Sequence, residues 1–173
     1  MNLRYLSILA AVALVAACES PSNKADNSGG AGNASNSNSG TTAAPAAGPA
    51  KGSEADFVAN VGDRVFFAYD KSDLSGEARG QLGKWVAFLK AYPTDKLTIE
   101  GHCDERGTVE YNLALGDRRA TAVKNFLVAE GIDAARLKTI SYGKSRPAVM
   151  GHDEAAWGQN RRGVGVVEGG PAS

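Results

Sequence analysis

Apolar side chains along this chain follow two periods, and the switches between them mark its elements. Arg64 to Tyr69 carries Val65, Phe66 and Phe67 in a short run that predicts a first strand. Leu82, Trp85, Val86 and Leu89 then recur three and four apart, the spacing of one buried helix face. Ser75 is placed to cap that helix, Glu77 suits its first turn, and Pro93 bars its continuation. Leu97 to Gly101 alternates as a half-buried strand does. A second helix is predicted over Val109 to Glu130, with Gly116, Ala120, Val123 and Leu127 as its buried stripe and Gly131 as the left-handed residue that closes it. Lys138 to Tyr142 predicts a third strand, Asp153 to Gln159 a short helix, and Arg161 to Val167 a last strand. The order βαβαβ, short α, β predicts an α/β fold, more closely an α+β sandwich with helices on one side of a mixed four-stranded sheet.

This domain is expected over residues 56–168, with 169–173 as a disordered tail. What precedes it has a different composition. Residues 1–17 carry Arg4 and then an apolar run from Ile8 to Ala17, too short to span a bilayer, and read as a signal peptide. The end of that run, Leu14-Val15-Ala16-Ala17-Cys18, resembles a bacterial lipobox, which implies acylation of Cys18 and stable membrane anchoring. Glu19 stands where an Asp would imply retention in the inner membrane, so the outer membrane is the expected address. Residues 18–55 are rich in Ser, Asn, Gly, Ala and Pro without apolar periodicity and are expected to form a disordered tether. As a flexible coil it would span roughly 30 Å. With Cys18 acylated, Cys103 is left alone of the two cysteines and reads as a small buried hydrophobe; a disulfide between them is the other reading.

The formal net charge is zero, which argues against nucleic acid as a partner, since no basic excess is available for phosphates. The charge instead concentrates in Gly101 to Thr121, GHCDERGTVEYNLALGDRRAT. Thr108 can cap the helix there, Gly107 permits a sharp turn, and Asp104 is expected near the free N–H groups of the helix start. Asn112 and Arg119 are seven apart and share a face, with Arg119 at the edge of the buried stripe and Arg118 turned about 100° towards solvent. A carboxylate binds an ammonium, and a guanidinium forks onto a carboxylate. Together they would suit the zwitterionic end of an amino acid. Two facts leave this open: a capping turn with a solvated basic face accounts for the same residue types, and Thr108 and Arg119 stand ~16 Å apart along a helix, a gap that only a turn folded back along the helix closes.

The same stretch, with Phe66-Phe67-Ala68-Tyr69-Asp70 before it and Ser141-Tyr142-Gly143 and Gly151-His152-Asp153-Glu154-Ala155-Ala156-Trp157 after it, resembles the OmpA-like domain family in its branch of peptidoglycan-associated lipoproteins. The resemblance covers residues 60–167. It implies a protein that binds peptidoglycan without cleaving it, by the zwitterionic end of diaminopimelate in an uncrosslinked stem peptide, with no cofactor. It implies Asp104 and Arg119 as the ligand pair, Asp70 as a further acidic contact, and Arg106, Thr108, Asn112 and Leu115 as groove positions. It also implies a partner, the periplasmic β-propeller TolB of the Tol-Pal system, which ties outer membrane to cell wall during division and would compete for the same surface. Two departures stand out: Cys103 where the family has other small residues, and glycines in the last strand, which are expected to loosen the sheet edge. On this reading Asp104→Ala and Arg119→Ala abolish wall binding with the fold intact, and Arg118→Ala does much less. A protein-binding lipoprotein without wall binding and a cell-wall hydrolase are the alternatives, as is a metal site drawn from His102, Cys103, Asp104 and His152.

Overall fold

The computed structural model describes residues 48–169. The expected signal peptide, Cys18, most of the tether and the tail beyond residue 169 lie outside them. Four strands form one mixed sheet: β1 (Arg64–Phe66), β2 (Lys96–His102), β3 (Leu137–Gly143) and β4 (Arg162–Glu168), in the order β1-β4-β2-β3. β4 runs antiparallel to both of its neighbours, and β2 and β3 are parallel. The helices are α1 (Glu54–Asp56), α2 (Gly76–Ala91), α3 (Val109–Ala129) and α4 (Glu154–Asn160). This is the expected α+β arrangement, and the long helices bury the stripes that the periodicity marked: Leu82, Trp85, Val86 and Leu89 on α2, and Gly116, Ala120, Val123 and Leu127 on α3.

The caps are where the side chains require them. Ser75 accepts from the Ala78 N–H at 3.1 Å, Thr108 from Tyr111 at 3.2 Å and Asp153 from Ala156 at 2.8 Å. α3 ends with Gly131 at φ 91°, and the N–H groups of Gly131 and Ile132 close onto the carbonyls of Val128 and Leu127, each at 3.0 Å.

Three expectations are corrected. The first strand stops at Phe66, not Tyr69, because the chain turns at Ala68–Lys71: the Lys71 N–H reaches the Ala68 carbonyl at 3.2 Å and Asp70 takes φ 56°. The ordered domain begins before residue 56. Ser53 caps α1, Glu54 accepts from the Val167 N–H, and Phe57 is fully buried, its ring 5.4 Å from that of Trp85. The last strand is no edge. β4 lies inside the sheet, and a Cβ on Gly165 would fall 2.9 Å from the Trp85 ring and 3.2 Å from that of Phe57, so this glycine makes room for two core aromatics.

One close approach positions everything at the carboxyl end of β2. Gly101 lies directly on Gly116 of α3; a Cβ on Gly116 would stand 2.9 Å from the Gly101 carbonyl oxygen. Two residues without side chains thus let strand and helix backbones touch, and β2 leaves the sheet beside the N-terminal half of α3.

Candidate functional site

From that contact the chain runs back along α3 towards its start. The Cys103 N–H donates to the Gly143 carbonyl at 2.8 Å, and its thiol lies on the Asn112 carbonyl at 3.3 Å. The buried Asn112 amide donates to the carbonyls of Arg106 (2.7 Å) and Thr108 (3.0 Å), which pins the turn to the helix. Gly107 supplies the left-handed step at φ 90°, and Lys144 donates to the carbonyls of Glu105 and Gly107 from the other side. The separation along the helix is therefore closed: Arg119 Nη1 donates to the carbonyl of His102, two residues before Asp104, at 2.9 Å.

The result is a cleft of about 160 Å³. Six of the expected residues line it together: Asp70, Asp104, Arg106, Asn112, Leu115 and Arg119. Thr108 is not among its walls; it is exposed and serves as the α3 cap. Arg118 is exposed, as the helical wheel requires. Sequence reasoning missed Tyr69 and Tyr111, which complete the wall, and Trp157, Glu154 and Arg161, which support it. Tyr111 was recoverable, since it sits in the first turn of α3, three residues from the cap Thr108. Trp157 and Arg161 reach Arg106 and Asp104 across more than 50 residues and carry no local signal.

Two details differ from expectation. Asp104 does not receive the N–H groups of the helix start. Its Oδ1 accepts from the Arg106 N–H (3.1 Å) and Nε (3.2 Å), and its Oδ2 from Arg106 Nη2 (2.6 Å) and Arg161 Nη1 (3.5 Å). Nor is Arg119 a free fork. It is fully buried, and its guanidinium donates to three backbone carbonyls: Lys71 through Nε at 2.8 Å, His102 through Nη1 at 2.9 Å and Ala68 through Nη2 at 3.1 Å. Three of its five donors are thus spent on the backbone, the Cys103 thiol is a further partner, and the residue still lines the cleft.

Burial pushes the Asp104 carboxyl up, but the Arg106 and Arg161 hydrogen bonds outweigh it and hold the group below the usual carboxylate range. It is therefore ionised at neutral pH. A depressed folded value means that this group's stabilisation is complete above its unfolded value, about pH 4, and is lost as pH falls through the folded one. Denaturant midpoints should accordingly drop below about pH 4, and Asp104→Asn should flatten that drop; an unchanged acid limb would contradict the assignment. Burial pushes the Arg119 guanidinium down, opposed by Cys103 and Asp104; guanidinium stays charged at neutral pH.

The residues considered for a metal or thiol site are dispersed. The buried His102 ring turns to the open face of the sheet, 3.3 Å from Glu100 and 5.5 Å from the Tyr142 ring centroid, its pKa lowered to about 4 by burial and by Arg162 and Arg146. Burial raises the Cys103 thiol, which leaves it a poor nucleophile. His152 is exposed and pairs with Glu105 at 2.8 Å, which raises its pKa. Among the described residues, no three His, Cys, Asp or Glu side chains come together to hold a metal ion.

Comparison with known proteins gives the family of the chain. Residues 66–161 match the model of the OmpA family. The peptidoglycan-associated lipoprotein of Agrobacterium fabrum is 48% identical over 124 residues, which cover 72% of this chain and 70% of that one. Its counterpart in Haemophilus influenzae is 54% identical over 100 residues, 58% of this chain and 65% of that one. Among solved structures, the peptidoglycan-associated lipoprotein of Burkholderia pseudomallei superposes with a TM-score of 0.60 at 40% identity, covering 61% of this chain and 90% of that one. The chain belongs to the OmpA family and, within it, to the peptidoglycan-associated lipoproteins.

Proposed function

We propose that this chain is an outer-membrane lipoprotein, anchored through acylated Cys18, whose domain binds peptidoglycan without chemical change by the zwitterionic end of diaminopimelate in uncrosslinked stem peptides. It is a binding protein and not an enzyme, and it ties the outer membrane to the cell wall. The observation that carries this reading is the cleft lined together by an ionised Asp104 and a buried, charged Arg119. The ligand's ammonium goes to the buried Asp104, with the exposed Asp70 as a second acid, and its carboxylate to Arg119; the low exposure of Asp104 and Arg119 strengthens their contacts. The names of the relatives support the wall as target.

A protein partner on the same surface is favoured by the rim. Tyr69 and Tyr111, which line the cleft, are 58% and 46% exposed, an aromatic border of the kind enriched at interfaces. A TolB-like propeller seated there would exclude the stem peptide, consistent with a place in the Tol-Pal system in cell division and envelope integrity.

Co-sedimentation with purified cell-wall sacculi tests the proposal. The intact chain should pellet with them, Asp104→Asn should lose at least about tenfold in affinity, and Arg118→Ala should pellet like the parent. Full retention of Asp104→Asn would contradict the site, and release of soluble muropeptides would make the protein a hydrolase.

A further inference from the structure

We propose that Arg106 is a built-in occupant of the seat that the ligand's ammonium must take, so that the free domain is self-liganded and the stem peptide competes with the protein's own side chain. The inference rests on the reading of the cleft given above. A carboxylate offers about four acceptor directions, and four N–H groups already fill those of Asp104: three from Arg106 and one from Arg161. The Arg106 guanidinium is also covered on both sides. Its central carbon lies 4.0 Å from the ring centroid of Tyr69 and 4.0 Å from that of Trp157, an arrangement in which aromatic faces bind cations. An ammonium can reach Asp104 only where one of these donors leaves.

Arg106 is the donor built to leave. Its side chain is 29% exposed against 9% for Arg161, which is also held by the Phe67 carbonyl at 3.0 Å and by Glu154. A second carboxylate waits beside it: Arg106 Nη2 lies 3.8 Å from Glu154, an exposed group on α4. The guanidinium can pass from Asp104 to Glu154 while its backbone N–H keeps the turn in place. The slot between Tyr69 and Trp157 then opens onto the cleft.

Such self-occupancy lowers the apparent affinity by the fraction of molecules whose seat is taken. Calorimetric titration of the mature chain with a stem peptide ending in free diaminopimelate should therefore show Arg106→Gln binding about tenfold tighter than the parent. Arg106→Lys should fall between them, because lysine keeps the charge without the fork. In Arg106→Ala, methylguanidinium chloride should enter the vacated slot, quench Trp157 fluorescence and compete with the peptide, and it should do neither to the parent. Equal or weaker peptide binding by both Arg106→Gln and Arg106→Lys overturns self-occupancy while parent binding stands. Absence of peptide binding by every one of these proteins overturns the reading of the cleft, and this inference with it.

Discussion

Arg119→Ala is expected to destabilise the domain by about 3–5 kcal/mol, a fall in melting temperature on the order of 10–20 °C. The side chain is fully buried and its three hydrogen bonds tie together two separate pieces of the chain: the turn after β1 through Ala68 and Lys71, and the end of β2 through His102. Removing it strands those carbonyls and leaves a hole beside Phe67, whose ring lies 5.2 Å from the guanidinium carbon. The expectation from sequence that this variant keeps its fold is thereby reversed. Loss of wall binding in Arg119→Ala would report collapse of the cleft as much as loss of a ligand contact. Arg119→Lys should lose less stability, since the charge remains but cannot serve three acceptors in one plane. Thermal unfolding of both variants checks this, and a melting temperature within a few degrees of the parent for Arg119→Ala would contradict it.

Gly101→Ala should be as damaging through sterics alone. The added Cβ would stand 2.6 Å from the Gly116 carbonyl carbon and would overlap its oxygen. Both are backbone atoms of α3, so no side chain can swing aside. Strand and helix must separate, which opens the core and displaces the His102 carbonyl from Arg119. Overpacking of this kind costs about 3 kcal/mol or more. Gly163→Ala is the contrasting change: its Cβ would find ordinary contacts, 3.4 Å to Val65, 3.5 Å to Phe67 and 3.6 Å to Val123. Equilibrium denaturation should rank Gly101→Ala far below Gly163→Ala; equal midpoints would contradict the close approach.

What could be read in the sequence was local and periodic. The two long helices, their caps and stops, and the choice of Arg119 over Arg118 all follow from three-and-four spacing and from side chains that act within one turn. Domain entry was not legible, because Ser53 and Glu54 act there as a cap and as an acceptor for the Val167 N–H, a contact across 113 residues with no period. The place of β4 was not legible either, since its glycines signal weakness until Trp85 and Phe57 are seen to occupy the space above Gly165. Asp104 and Arg119 were singled out in the sequence and share one cleft, but their long-range partners were not read. Asp104 meets Arg161 across 57 residues, and Arg119 meets Ala68 across 51. Such pairings depend on how the sheet closes. The sequence pattern therefore picked out residues that the fold brings to one cleft and left the long-range bonds between them to the fold.

The central claim is that this cleft holds an ammonium beside a carboxylate. The most direct measurement is a calorimetric titration of the purified mature chain with two peptides: a stem peptide with a free diaminopimelate end, and the same peptide with that amine acetylated. Saturable one-to-one binding of the first is expected, with at least about hundredfold weaker binding of the second, because the acetylated nitrogen cannot pair with Asp104 and must be desolvated against it. Equal affinities for the two peptides, or binding of neither, would contradict it.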